Sequence, residues 1–312
     1  MSDIDLLAIG LTTLDISIHP LMEMPEVDEG VLVQTIRLTP AGTAGGTAAV
    51  AAKLGLKVAL ASAVGDDLQG EAVRSGLKKL GVDMSLLQTN PAWPTSTTVL
   101  PVNTDGQRST LHMVGASILT PLPAEAAARL PHTRAVHWGG VGYPGLQGQG
   151  AEFLKQAGAS GAFVTCDLIS PQQSAIDEIA TLLPYIDLFM PSVAEVEVLA
   201  GTTDMPAAAR HFMAMGAKAC AFKMGRDGAA LFTADREYRM PSFRIVPVDT
   251  TTCGDSFCAG FITARLRGLD EMECLRFATA VSARVAMGVG TLGALEDFED
   301  TLAFARTAPV HA

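Results

Sequence analysis

The chain has 312 residues, of which 48% are hydrophobic, and its 33 acidic and 22 basic residues give a formal net charge of −11. This composition predicts a globular protein with a large core and excludes a nucleic-acid partner, which would require clustered Lys and Arg. No apolar run approaches the ~18 residues of a membrane span, and Asp3 and Asp5 stand where a secretory signal carries bases. The five cysteines are scattered, without a Cys-x-x-Cys pair, so we expect reduced thiols in a cytoplasmic protein with no membrane partner.

The predicted elements begin with an apolar run at residues 6–10, which we interpret as a buried strand that enters a loop at Asp15. Similar runs, each followed by a helical pattern, lie at residues 57–64, 135–138, 162–167, 188–190 and 219–223. Because strands and helices alternate along most of the chain, the sequence predicts an α/β fold with three layers, α/β/α, around a mainly parallel central sheet.

Two segments interrupt this alternation. Polar and apolar residues alternate at 29–38 and again at 96–113, and Asp105-Gly106 in the second segment is a strong hairpin signal. These patterns predict a small antiparallel β lid, formed by insertions at about 16–40 and 95–114, over the strand ends where parallel sheets collect ligands. The chain is otherwise predicted to form a single domain over residues 1–312.

A glycine-rich segment at residues 40–55 leads into an alanine-rich helix. Its glycines can let backbone amides approach a ligand at a helix N-terminus. Alternatively, Gly45-Gly46 forms a tight turn and the alanines allow close helix packing. The segment lacks both the G-x-x-x-x-G-K-[ST] phosphate-loop spacing and the G-x-G-x-x-G spacing. Taken alone, the pattern favours the tight turn.

Two other strand ends carry polar residues. Ser192 and Glu195 stand at the beginning of a predicted helix, where their spacing favours a capping box; the alternative is that Glu195 helps to hold a hydrated Mg²⁺. Lys223 and Arg226 flank a glycine turn after the last apolar run, where they contact phosphate or are simply exposed.

The stretch VDTTTCGDSFCAGF, residues 248–261, leads from three threonines into a helix that begins near Asp255. The amides of Thr252, Cys253, Gly254 and Asp255 are predicted to be unpaired at this helix start and to form an anion site. Asp255 is therefore expected to cap the helix, stabilised by the helix dipole, and also to accept a hydroxyl proton during phosphoryl transfer, since the two roles do not exclude each other.

The run Asp249-Thr-Thr-Thr-Cys-Gly-Asp255 resembles the signature Asp-Thr-Thr-Gly-Ala-Gly-Asp of the ribokinase-like, or PfkB, family of carbohydrate kinases. Further blocks are collinear with that family across nearly the whole chain; they are Asp15, residues 42–46, 64–70, 115–117, 191–195, 224–228 and 293–294. The resemblance implies ATP-dependent phosphorylation of a hydroxyl on a small sugar or sugar derivative. Asp255 is implied as the general base, and the amides of residues 252–255 are implied as the anion hole.

The resemblance also implies binding residues for each ligand. The residues implied at the sugar are Asp15, Gly42, Thr43 and Gly46, and those implied along the nucleotide are Ser192, Lys223, Gly225 and Gly228. Glu195 is implied near Mg²⁺ through water, and Asp249 and Thr251 at a K⁺ beside the anion hole. Pairing of lids, common in the family, implies a homodimer.

The chain departs from the family pattern at several positions. Thr252 and Cys253 replace glycine and alanine, so a positive φ at Thr252 would be strained, although a hole built from backbone amides survives the change. Ribose-specific members carry Lys and Asn where this chain has Thr43 and Gly46. The resulting pocket is roomier, and its missing contacts must come from elsewhere, for example from Arg108 or His112 on the lid.

Two alternatives remain open from the sequence. The same fold supports a nucleoside kinase. A degenerate kinase fold that acts as a binding or regulatory module is the second alternative. Thr252 and Ser192, where Asn is common in the family, add some weight to it, but it ranks last because Asp255 and Gly254 are retained.

Overall fold

The computed structural model describes residues 4–169 and 173–312. Its strands are β1 (Ile4–Gly10), β2 (Thr13–His19), β3 (Thr35–Ala41), β4 (Val58–Val64), β5 (Leu87–Thr89), β6 (Thr97–Pro101), β7 (Leu111–Met113), β8 (Thr133–Gly139), β9 (Phe163–Cys166), β10 (Leu188–Phe189), β11 (Cys220–Lys223), β12 (Ala229–Phe232) and β13 (Glu237–Met240). Its helices are α1 (Gly45–Lys53), α2 (Leu68–Lys79), α3 (Ala116–Leu119), α4 (Gly150–Ala159), α5 (Gln173–Leu182), α6 (Val193–Ala200), α7 (Met205–Ala214), α8 (Cys253–Leu266), α9 (Glu271–Ala286) and α10 (Phe298–Thr307). Within these ranges, no helix is long and apolar enough to cross a bilayer.

Nine of the described strands form the central sheet, in the order β13-β12-β11-β10-β9-β8-β1-β4-β5. All neighbouring pairs are parallel except β11 with β12 and β12 with β13, which are antiparallel. The predicted three-layer fold with a mainly parallel sheet is confirmed.

Helices cover both faces of this sheet. Along β1, Leu6 and Ala8 belong to one core cluster, which includes residues of α1, α8 and α9, while Leu7 and Ile9 belong to a second, which includes residues of α4, α5 and α7. This alternation is what a strand buried on both faces requires. The carboxyl ends of β1, β8, β9, β10 and β11 therefore meet at one edge of the sheet.

A second sheet, the lid sheet, contains β2, β3, β6 and β7 in the order β3-β2-β6-β7. Two of its strand pairs are antiparallel, as predicted, and the central pair of β2 with β6 is parallel. The turn at Asp105-Gly106 joins β6 to β7, and Gly106 adopts the left-handed conformation that such a turn requires (φ 74°). The prediction of a loop at Asp15 was wrong, because Asp15 lies in the middle of β2.

The two faces of the lid sheet differ in chemistry. Cross-strand partners share a face, and one row crosses all four strands through Thr39, Asp15, Thr98 and His112. The next row on the opposite face consists of apolar residues, namely Leu38, Ile16, Val99 and Leu111. One face is thus polar, with Asp15 and Thr98 buried, and the other is apolar, with its outer residues Leu38 and Leu111 more than half exposed.

Candidate active site

Helix α8 begins at Cys253, immediately after Thr252, whose φ of 61° is left-handed. The first backbone hydrogen bond of the helix runs from Ser256 N to Thr252 O (2.8 Å). The amides of residues 252–255 have no acceptor among the residues that the structure describes. The amides that the sequence analysis assigned to an anion site are therefore unpaired at the start of α8. Asp255 is the third residue of the helix and does not cap it, so the capping interpretation of Asp255 was wrong.

The loop before α8 is held by long-range contacts. Asp249 is fully buried, and its carboxylate accepts hydrogen bonds from Thr251 N (2.8 Å), Gly290 N (2.9 Å) and Ser17 Oγ on the lid sheet (3.3 Å). These contacts keep Thr252 in a backbone conformation that costs an L-residue about 1–2 kcal/mol. The positive φ that the sequence raised as a possibility is thus observed.

The carboxyl group of Asp255 has a shifted pKa. Burial raises this pKa from 3.8 to about 7, and the neighbouring carboxylates of Asp167, Asp15 and Glu195 act in the same direction. Lys223 opposes them. A carboxyl group with a pKa near neutrality can accept a proton at physiological pH and release it again.

Helix α1 begins directly against Asp255. A Cβ atom added at Gly46 would lie 2.8 Å from Thr252 Cγ2 and 3.1 Å from Asp255 Oδ2. The prediction of a tight turn at Gly45-Gly46 was wrong, because both residues belong to the first turn of α1. Gly46 instead permits close packing of two helix starts, and this packing takes place at Asp255. At Gly42, in contrast, an added Cβ would lie 2.7 Å from Leu11 O. Glycine is therefore required there by the packing of the backbone.

Asp15 lies close to Asp255 on the buried face of the lid sheet. Burial raises the pKa of Asp15 to about 7, while the charge of Arg108 opposes this rise and that of Asp249 adds to it. Its Oδ1 atom is buried and has no hydrogen-bond partner in the described part of the chain. The hydroxyl groups of Thr252 and Tyr143 are also buried without a hydrogen-bond partner in the described residues. Burial and, to a lesser extent, the charge of Asp255 raise the pKa of Tyr143, so these two side chains are near each other. Buried polar atoms are normally paired, so these atoms are available to a ligand that forms hydrogen bonds.

Sequence reasoning missed Tyr143. The residue follows β8 within a glycine-rich turn, and its burial cannot be read from the surrounding pattern. The nearby Thr43 hydroxyl donates to Gly139 O (2.5 Å), so Thr43 can offer a ligand only an acceptor.

The hairpin turn of the lid contacts the loop before α8. Arg108 Nη1 donates to Thr250 Oγ1 (3.2 Å), and Thr250 Oγ1 donates to Gly106 O (3.0 Å). His112 Nδ1 lies 3.1 Å from Thr98 Oγ1, in the row that contains Asp15. The structure therefore brings both predicted lid residues to the rim of the site.

On the other side of Asp255, Ser192 and Glu195 form the predicted capping box of α6. Ser192 N donates to Glu195 Oε2 (2.6 Å), and the Ser192 hydroxyl accepts from Glu195 N (3.4 Å). Burial, followed by the charge of Asp167, raises the pKa of Glu195. The Ser192 hydroxyl only accepts in this cap, so its proton stays available to a ligand. One oxygen of Glu195 likewise has no partner among the described hydrogen bonds.

The turn after β11 contains both predicted nucleotide glycines. An added Cβ at Gly225 would meet open space, whereas at Gly228 it would lie 2.0 Å from Met240 O. Gly225 thus borders open space, where a ligand can bind, and Gly228 permits close packing against β13.

Lys223 ends β11 and forms an ion pair with Asp167, which follows β9 (2.5 Å from Nζ to Oδ2). Both side chains are largely buried, with 12% and 2% exposed, respectively. Asp167 was not predicted as a site residue. The available signal was a carboxylate at the end of an apolar run, as at Asp15.

The comparisons with known proteins agree with this geometry. A family model described as pfkB family carbohydrate kinase matches residues 3–297. The chain is 28% identical over 304 residues to a nucleoside kinase of Methanothermobacter thermautotrophicus, covering 93% of this chain and 91% of that protein. It is 26% identical over 302 residues to a deoxyribokinase of Salmonella typhi, covering 95% and 96%.

Solved structures show the same fold. The structure of Arabidopsis thaliana ribokinase complexed with ribose and ATP superposes with a TM-score of 0.80 at 23% identity and covers 98% of this chain and 99% of that one. A putative ribokinase from Agrobacterium tumefaciens gives a TM-score of 0.85 at 20% identity, with 98% of both chains covered. The chain belongs to the pfkB family of carbohydrate kinases and is a phosphotransferase.

Proposed function

We propose that the protein transfers the γ-phosphoryl group of ATP to a hydroxyl group of a small sugar or sugar derivative. Asp255 acts as the general base, and the amides of residues 252–255 form the anion hole. The observation that carries this proposal is the position of the Asp255 carboxylate beside these unpaired amides at the start of α8. Phosphoryl transfer needs this pairing of a proton acceptor with donors for the moving charge.

In the proposed reaction, Asp255 accepts the proton of the acceptor hydroxyl as the hydroxyl oxygen attacks the γ-phosphorus of ATP. The bond from this phosphorus to the β,γ-bridging oxygen breaks, and ADP leaves with the electron pair. The amides at the helix start donate to the phosphoryl oxygens while charge develops on them, and the helix dipole acts in the same direction. Asp15 and Tyr143 have free buried polar atoms with which to orient the hydroxyl groups of the acceptor.

The residues around Asp255 fit ATP and Mg²⁺. Mg²⁺ neutralises phosphate charge when bound, and it usually keeps several waters, which suits a single carboxylate such as Glu195 acting through water. Lys223 supplies a fixed positive charge, and Gly225 borders open space for the nucleotide. For K⁺, Thr251 Oγ1 is a buried oxygen without a described partner, close to the Asp249 carboxylate, so we propose a monovalent cation at this position.

The acceptor is proposed to be neutral. The part of the site that binds the acceptor contains two carboxyl groups, Asp15 and Asp255. The positively charged side chain that reaches it from the lid is Arg108, which already contacts Thr250. Carboxylates accept hydrogen bonds from sugar hydroxyl groups, whereas they repel the carboxylate of a sugar acid. A nucleoside is the second candidate acceptor, because one relative over nearly the whole chain is a nucleoside kinase.

A screen of acceptors tests the proposal. ADP release is measured for pentoses, deoxypentoses, hexoses, ketoses, keto-deoxy acids and nucleosides, with K⁺ and with tetramethylammonium as the cation. We expect ADP release coupled to one neutral sugar or nucleoside, faster with K⁺. Binding of ATP without ADP release for any acceptor would contradict the kinase proposal and favour a binding or regulatory module.

We also propose that two copies of the chain pair through the apolar face of the lid sheet. Ile36 and Leu38 on β3, and Leu111 and Met113 on β7, are 43–60% exposed on this face. Sedimentation velocity is expected to show a dimer that Leu38→Glu dissociates. The control Leu68→Glu, at an exposed leucine on α2, should remain dimeric. A monomeric wild-type protein would contradict the pairing.

A further inference from the structure

The ion pair of Asp167 and Lys223 has no part in the proton transfer described above, although it lies against the anion hole. The Asp167 carboxylate is fully engaged by the protein: Oδ2 accepts from Lys223 Nζ (2.5 Å) and Cys258 Sγ (3.3 Å), and Oδ1 accepts from Leu168 N (2.9 Å). Asp167 therefore offers little capacity to a ligand. These hydrogen bonds indicate that Asp167 positions another residue.

Lys223 is the residue that Asp167 holds. Its backbone is fixed by the hydrogen bond from Lys223 N to Pro191 O (3.0 Å), and its ammonium group lies 3.3 Å from the position of a Cβ atom at Gly254. The glycine thus lets the ammonium approach Gly254, the second residue of α8. The residues on either side of it in the sequence, Cys253 and Asp255, contribute unpaired amides.

The ammonium group retains capacity for a ligand. Nζ carries three protons, and within the described ranges its only acceptor is Asp167. Burial alone would lower the pKa of Lys223, but the facing carboxylates, Asp167 first, raise it above its ordinary value, so the group is charged. A fixed cation with free donors therefore lies next to a cluster of free amides, and both favour the same anion.

We propose that Lys223, positioned by Asp167, donates to an oxygen of the phosphoryl group that is being transferred, and that Asp167 is a positioning residue for this contact. The inference rests on the proposed function, because it assigns Lys223 to the γ-phosphate within the same site. It adds a role for Asp167: by binding Lys223, it competes with Asp255 for the ammonium group and so keeps the base from being neutralised by an ion pair.

The experiment compares the binding of ADP with that of the non-hydrolysable imido analogue of ATP, which differs by the γ-phosphate. Calorimetric titration of the Mg²⁺ complexes gives the ratio of the two dissociation constants for each variant. In Lys223→Met, we expect the preference for the triphosphate to fall by about tenfold or more, as loss of a hydrogen bond to a charged group implies, with little change for ADP. In Asp167→Asn, the lysine is present but no longer held, so the fall should be smaller.

A structural role and a positioning role predict different results. If Asp167 acts through Lys223, the double variant Asp167→Asn, Lys223→Met should show the same binding ratio as Lys223→Met alone. Both single variants should lower kcat with little change in the KM of the acceptor. The double variant also removes both buried charges, so it carries the test if Lys223→Met alone does not fold.

The matched control is Asp187→Asn. Asp187 binds Lys218 (2.6 Å from Nζ to Oδ1) and Val164 N at the opposite edge of the sheet, and this variant should keep the wild-type ratio and kcat. Folded Lys223 and Asp167 variants with wild-type ratios would overturn the inference. A wild-type protein that prefers the triphosphate through Lys223 but phosphorylates no acceptor would instead contradict the proposed function and leave this inference standing. A wild-type protein that does not distinguish the two nucleotides would overturn the inference.

Discussion

The substitution Asp255→Asn is expected to lower kcat by roughly 10²–10⁴-fold, the usual contribution of a general base, while the chain stays folded. Asparagine has the shape of aspartate but cannot accept the proton of the acceptor hydroxyl. The amides of residues 252–255 are unchanged, so the KM for ATP should change little. ADP release with the best acceptor measures the effect, and a kcat within about twofold of wild type would show that Asp255 is not the base.

A matched control separates a base from a helix cap. Asp204 does cap a helix, because its side chain accepts from Ala207 N at the start of α7, and Asp204→Asn keeps a good cap far from the chemistry. This variant should keep wild-type kcat.

The substitution Asp255→Asn should also alter stability in a pH-dependent way. Because burial raises the pKa of Asp255 from 3.8 to about 7, the folded protein binds this proton more tightly than the unfolded chain does, and stability is lost as the pH rises between these two values. Asp255→Asn removes the loss, so it should raise the Tm by a few degrees at about pH 8 and have little effect at about pH 4. A lower Tm at about pH 8 would contradict the shifted pKa.

The substitution Gly46→Ala is expected to lower kcat by about 10–100-fold through a single methyl group. The new Cβ atom would lie 2.8 Å from Thr252 Cγ2 and 3.1 Å from Asp255 Oδ2, so either α1 must move or the base and its anion hole must shift. The neighbouring helix starts are both buried, which leaves little room for the methyl group.

A second substitution tests this explanation. Thr252→Gly removes the nearer contact and also relieves the left-handed strain at that position, so kcat of the double variant Gly46→Ala, Thr252→Gly should recover in part. Thr252→Gly alone should remain active, because the hole consists of backbone amides. The matched control is Gly158→Ala in α4, where an added Cβ meets nothing within 4 Å and kcat should be unchanged. Loss of activity in Thr252→Gly, or no recovery in the double variant, would contradict the steric explanation.

The central sheet was predictable because its strands are buried on both faces and appear as apolar runs between helical patterns. The course of the chain at Asp15 was predicted wrongly although a signal was present. In β2, the apolar residues Leu14, Ile16 and Ile18 alternate with Asp15, Ser17 and His19, which is the period of a strand with two different faces. Gly10 and Thr12 before β2, and Thr13 at its start, obscured this period.

Other features of the site depend on contacts that the local sequence does not show. The left-handed backbone of Thr252 is fixed by Asp249, whose partners include Ser17 and Gly290. Asp167 and Lys223 are 56 residues apart and meet because β9, β10 and β11 are neighbours in the sheet. The motif at residues 249–255 predicted where chemistry occurs, whereas the residues that position it are brought there by the order of the strands.

The most direct test of Asp255 as the base is the pH dependence of kcat/KM for the best acceptor at saturating MgATP. A base must be deprotonated to act, and burial raises the pKa of Asp255 to about 7. The rate constant should therefore rise with pH, approaching tenfold per pH unit at the acidic end for a single base, and level off above a pH near 7. Asp15, with a pKa also near 7, can steepen this rise. A profile that is flat from about pH 5.5 to about pH 8.5 would contradict the assignment of Asp255 as a buried general base.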